Sequence, residues 1–236
     1  MDQFEGNART ASVHVPIGHL RLEGELAVPA RPAGVVLLAH GSGSSQRSPR
    51  NQYVASAFRH RGLATLLIDL LTADEEAVDR RTGHLRFDIP LLAARIVAIV
   101  DWLRTRPETR GLPIGVFGAS SGGAAALVAA AERPSRIGAV VSRGGRSDLA
   151  ATALARLTTP TLLIVGELDA PALDRNRAAM SHIDGEVALE IVPGASNLFH
   201  EPGALECVAD LAGDWLASHL TASRGQTAWV AVRPGA

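Results

Sequence analysis

Short apolar, β-branched runs alternate along this chain with longer segments of helical period, and that alternation constrains the fold more than any other feature. Residues 34–39, 63–69, 114–117, 137–142, 161–165 and 187–192 read as apolar strands without polar alternation, the pattern of a parallel sheet buried on both faces. Residues 12–17 and 20–28 alternate apolar and polar side chains instead, which suits an antiparallel hairpin at one edge. The expected fold class is therefore α/β, an eight-stranded mostly parallel sheet with helices on both faces.

Helices fill the intervals. Residues 90–104 set Leu92, Ile96, Ile99 and Leu103 on one face, with Asp88 as N-cap and Pro90 in the first turn. Residues 121–132 are half alanine and begin Ser-Gly-Gly, a small-residue helix able to lie tight against a sheet. The last helix, near 203–219, turns Leu205, Val208, Ala212 and Trp215 inward. The chain of 236 residues, 47% of them hydrophobic, can bury one full core. We read residues 1–220 as one domain and 221–236 as a loosely held tail.

Composition removes whole classes of chemistry. All 23 basic residues are arginine, so Schiff-base, pyridoxal-phosphate and P-loop chemistry lack their lysine. A net charge of -1 offers no basic surplus for nucleic acid. The single cysteine, Cys207, can form neither an intramolecular disulfide nor a thiolate metal site, so no metal is expected and a cytoplasmic location fits best. Asp2, Glu5 and Arg9 break up the first residues, so no signal peptide is expected, and no apolar run is long enough to span a membrane.

Gly118-Ala119-Ser120-Ser121-Gly122 fits the G-x-S-x-G nucleophile elbow, and it stands between an apolar strand and the alanine helix, the context this motif requires. The Ser120 hydroxyl would then project at the carboxyl edge of the sheet. The Ser121 N–H, at the helix start, would face a developing oxyanion. His40-Gly41-Ser42-Gly43-Ser44-Ser45 follows another buried strand, and the Ser42 N–H is the second donor expected. Asp169, in the loop after strand 161–165, is the acid expected to orient the base, with Glu167 as its substitute. By itself, an Asp before Ala170-Pro171 also reads as a helix cap.

Taken together, residues 37–45, Ser48-Pro49-Arg50-Asn51, the Gly118–Gly123 elbow, Ser142-Arg143-Gly144-Gly145, and Pro193-Gly194-Ala195 followed by Leu198-Phe199 resemble the α/β-hydrolase fold, in its dienelactone-hydrolase-like branch. The resemblance implies a serine hydrolase acting on small esters or lactones without a cofactor, with a small-molecule substrate as its partner and a homodimer as one expected assembly. It also exposes a departure. Where similar hydrolases carry the base histidine, between Pro-Gly-Ala and the Leu-Phe pair, this chain has Asn197, which cannot shuttle a proton near neutral pH. His200 lies three residues on. An extended chain would displace it by about 10 Å and a compact turn by about 5 Å, so its use as base requires a turn over residues 197–200. A catalytically impaired or silent hydrolase-fold protein that binds a small molecule is the alternative.

Only about 18 residues separate Ser142 from Pro160, too few for a helical cap domain. Arg143 and Arg146 follow a strand at the expected active-site edge, and Arg50 and Arg86 occupy nearby loops. Arg143 is the candidate for holding a substrate carboxylate.

Overall fold

A computed structural model describes residues 8–40 and 45–226. The strands are β1 (Arg9–Ile17), β2 (Leu20–Val28), β3 (Gly34–Ala39), β4 (Leu63–Ile68), β5 (Ile114–Ala119), β6 (Ala139–Arg143), β7 (Thr161–Gly166) and β8 (Val187–Val192). They form one sheet in the order β1-β2-β4-β3-β5-β6-β7-β8, in which β2 alone runs antiparallel to both its neighbours. The helices are α1 (Pro49–His60), α2 (Ala73–Thr82), α3 (Ile89–Thr105), α4 (Ser121–Glu132), α5 (Ala151–Leu154), α6 (Ala170–Met180) and α7 (Ala204–Gln226).

Strand alternation divides the core in two. Val35, Leu37 and Ala39 of β3 join Ile96, Ile99, Leu103 and the α4 alanines on one face, while Val36 and Leu38 join Phe58, Phe199, Val208 and Leu216 on the other. Every residue of β3, β4, β5 and β7 is buried, as central parallel strands require. On the α7 side the approach is close: a Cβ on Gly115 would stand 2.7 Å from Leu216 Cδ2.

The cap of α3 forms as expected, the Asp88 carboxylate accepting from the Leu91 N–H at 3.0 Å. The burial of one strand and three boundaries differ from the sequence reading. β8 is only half-buried, with Glu190 and Ile191 exposed, because it is the outermost strand. β6 starts two residues late, because the Ile137 N–H closes a turn onto the Arg133 carbonyl at 3.1 Å. β5 runs on to Ala119, up to Ser120 itself. Helix α7 continues to Gln226, into the segment read as a tail, while residues 227–236 lie outside the described residues. Between β6 and β7 there is room only for a short 3₁₀ turn (Ser147–Ala150) and α5, so no cap domain covers the sheet edge.

Candidate active site

The carboxyl ends of β3, β5, β6 and β7 share one edge, because these strands are mutually parallel. Ser120 sits there with φ 54° and ψ −123°, one of only two non-glycine residues at positive φ among those described. Its neighbours explain how such a backbone is tolerated. A Cβ on Gly118 would lie 2.3 Å from the Gly122 carbonyl oxygen, and one on Gly122 would lie 2.6 Å from the Ala39 oxygen. The Ser120 N–H donates to the Arg143 carbonyl at 3.1 Å, and its own carbonyl accepts from Gly123 N–H at 3.0 Å. The side chain is left exposed. Ser121 opens α4, so its N–H is one of the amides a helix start leaves without an intrahelical acceptor. Ser42 lies outside the described residues.

Asp169 caps α6, its Oδ1 accepting from Ala172 N–H at 3.1 Å. Glu167 instead holds the turn after β8, accepting from Gly194 N–H at 2.7 Å. That turn folds back over β7, with the Leu168 N–H on the Ala195 carbonyl at 2.9 Å. Asn197 follows at the edge of β6, where its carbonyl oxygen would be 3.2 Å from a Cβ on Gly144. The loop then turns, Phe199 N–H bonding to the Ser196 carbonyl at 3.2 Å. Phe199 plunges into the core at φ 53° while Asn197 and His200 stay exposed on either side of it. Ser120 and Asn197 are thus both placed at the carboxyl end of β6. Among the described residues His200 has no hydrogen bond to Asp169 or Ser120.

Sequence reasoning missed an acid–imidazole pair. His40 Nε2 meets Asp69 Oδ1 across the ends of β3 and β4, and the same oxygen accepts from Gln46 N–H at 2.9 Å. The signal available was two polar residues immediately after apolar strands, Leu38-Ala39-His40 and Leu67-Ile68-Asp69. Burial and the adjacent Asp69 raise the Glu76 carboxyl above its usual range. Among the described residues no group of three or more His, Cys, Asp or Glu side chains is placed to hold a metal ion, and no helix is long and apolar enough to cross a membrane. Burial raises the half-buried Cys207 thiol on α7.

A crystal structure of dienelactone hydrolase from Anabaena variabilis superimposes with a TM-score of 0.88 at 54% identity, covering 90% of this chain and 99% of that one. The chain belongs to the dienelactone-hydrolase-like α/β-hydrolases. The family model described as X-Pro dipeptidyl-peptidase (S15 family) matches residues 43–182 of this chain. Est1E from Butyrivibrio proteoclasticus, at 15% identity and a TM-score of 0.73 over 88% of this chain and 98% of its own, shares the fold. A Mycobacterium tuberculosis protein that carries the name phosphoribosyl transferase is 51% identical over 212 residues, which is 90% of this chain and 47% of that protein. The chain thus spans about half the length of the curated relatives it matches.

Proposed function

We propose that this hydrolase cleaves small carboxylic esters or lactones through an acyl-enzyme on Ser120. One observation carries the proposal: Ser120 holds a positive φ between β5 and α4 with its side chain exposed, a strained geometry for which the flanking glycines make room. The lactone half of the reading is supported by the name of the Anabaena relative. In the proposed reaction Ser120 Oγ attacks the carbonyl carbon while its proton passes to His200, oriented by Asp169. The amides of Ser42 and Ser121 hold the oxyanion, and collapse expels the alcohol, which takes the proton back from His200. Water, deprotonated by the same imidazole, then releases the acid. The turn closed by Phe199 N–H on Ser196 supports a role for His200, since it keeps residue 200 from extending away.

Asn197 favours a second reading. It, rather than His200, packs at Gly144 beside the nucleophile's strand, so acylation without an efficient base is the competing account. Labelling by a fluorophosphonate, together with p-nitrophenyl ester turnover in wild type, Ser120→Ala and His200→Ala, separates the two. Collapse of turnover in both variants supports the shuttle. Full turnover in His200→Ala rejects it, and absence of labelling in wild type rejects the acyl-enzyme.

A further inference from the structure

Four arginines are candidates for the edge that carries Ser120, and their charges are treated differently. Arg146 is held by both oxygens of Asp148, and Arg86 by Asp79 at 2.7 Å. Arg143 has no such partner. Among the described residues its guanidinium makes no hydrogen bond to the protein, its Nε is sealed from solvent, and its Cζ lies 5.4 Å from the centroid of the Phe199 ring. Burial, with a smaller contribution from neighbouring Arg50, pushes this guanidinium down to about 10.

Arg50 is tied to the same residue from the other side, its Nη2 donating to the Phe199 carbonyl at 3.0 Å and to the Leu198 carbonyl at 2.5 Å. Both acceptors are neutral, so its charge is not cancelled. Arg50 also lies in the first turn of α1, which contains no acidic residue and whose N-cap Ser48 makes no side-chain cap bond. No acidic side chain of its own first turn offsets the positive end of that helix. Two guanidiniums thus meet at Phe199, one against its ring and one on its carbonyl. A buried cation without a counter-charge is unfavourable unless something supplies one.

We propose that the Arg143–Arg50 cluster binds a phosphate monoester dianion, so that the substrate is a phosphorylated ester. A carboxylate would leave one of the two guanidinium charges uncompensated, whereas a phosphate group carries roughly −1.5 to −2 at neutral pH and three acceptor oxygens. Its position fits a substrate group. Arg143 ends β6 opposite Ala119, the residue before Ser120, so an anion held there belongs to the molecule whose acyl bond Ser120 attacks. The word substrate rests on the acyl-enzyme reading; the anion site does not.

The test separates the two. Calorimetry on the Ser120→Ala protein, which needs no turnover, compares inorganic phosphate with acetate at matched ionic strength. Phosphate should bind at least roughly tenfold more tightly than acetate, and Arg143→Met or Arg50→Gln should each weaken phosphate by about tenfold or more. Arg143→Met should melt no lower than its parent, because it replaces an unpaired buried charge by an apolar chain of similar length. Acetate binding as well as phosphate overturns the dianion, and unchanged phosphate affinity in Arg143→Met, or no phosphate binding at all, overturns the site. In wild type a phosphorylated p-nitrophenyl ester should show a KM about tenfold below its neutral analogue. If neither ester turns over while phosphate binding persists, the acyl-enzyme reading falls and the anion site stands.

Discussion

The Ser120 amide hydrogen rests on the Arg143 carbonyl at 3.1 Å, so the strained elbow is anchored to the end of the neighbouring strand as well as to its own helix. Tight packing on the other side completes the constraint. Gly122→Ala would drive a methyl to 2.6 Å from the Ala39 oxygen, against backbone that cannot swing aside. We expect a loss of about 1–3 kcal/mol, read as a fall in Tm of about 2–4 °C per kcal/mol, together with loss of fluorophosphonate labelling. An unshifted melt with normal labelling would show that the elbow is looser than its contacts imply.

Asn197→His restores an imidazole where the loop passes closest to β6. General-base catalysis is typically worth about 100- to 10,000-fold, so p-nitrophenyl ester turnover should rise by at least the lower figure if the wild type lacks an efficient base. If His200 already serves, the gain should be small and His200→Ala should be the more damaging change.

Away from the site, buried Arg95 is held bidentately by Glu75, at 2.6 and 2.7 Å, and Glu75 also completes the capping box of α2 with Thr72. Hydrogen bonding to Arg95 is the chief cause holding the Glu75 carboxyl below its ordinary 4.5. A carboxyl lowered in the folded state contributes stability fully above its unfolded value and loses it as pH falls through the folded one. Glu75→Gln should therefore cost about 3 kcal/mol at pH 7, and the gap to wild type should close in melts taken below about pH 4.5.

Asp69→Ala removes one acceptor from two donors, the Gln46 N–H and the His40 ring, in a largely buried setting. Each abandoned buried group costs about 1–3 kcal/mol, so a loss of at least about 2 kcal/mol is expected by urea unfolding. Asp69→Asn, which keeps an acceptor oxygen, should recover part of it.

Periodicity captured the parallel core because β3, β4, β5 and β7 are buried on both faces and carry no charged residue, only the β-branched Thr65 and Thr161 among otherwise apolar side chains and glycines. It misjudged β8 for the converse reason: Val-Ala-Leu-Glu-Ile-Val is apolar enough to read as interior, and only the strand order makes it an edge. Helix α2 escaped notice because its only buried residue is Asp79, leaving no apolar stripe to detect. Its signature was instead Thr72 three residues before Glu75. The elbow was legible since strand, turn and helix are contiguous. By contrast, His40 and Asp69 meet across two strands 29 residues apart in sequence, and Arg143 differs from Arg146 only in that no carboxylate reaches it. Both depend on long-range placement, which local pattern does not encode.

Phe199 couples two demands that no one residue meets well. Its backbone, at φ 53°, would suit glycine, yet its ring fills the core beneath α7 and lies against Arg143. Glycine would relax the chain and empty the space, alanine would empty it and keep the strain, and a branched side chain would worsen the strain while filling the space poorly. Every single step away is downhill in fitness for a different reason. The position is thus a trap in sequence space, and changing it would require a compensating substitution on α7 or β6 first.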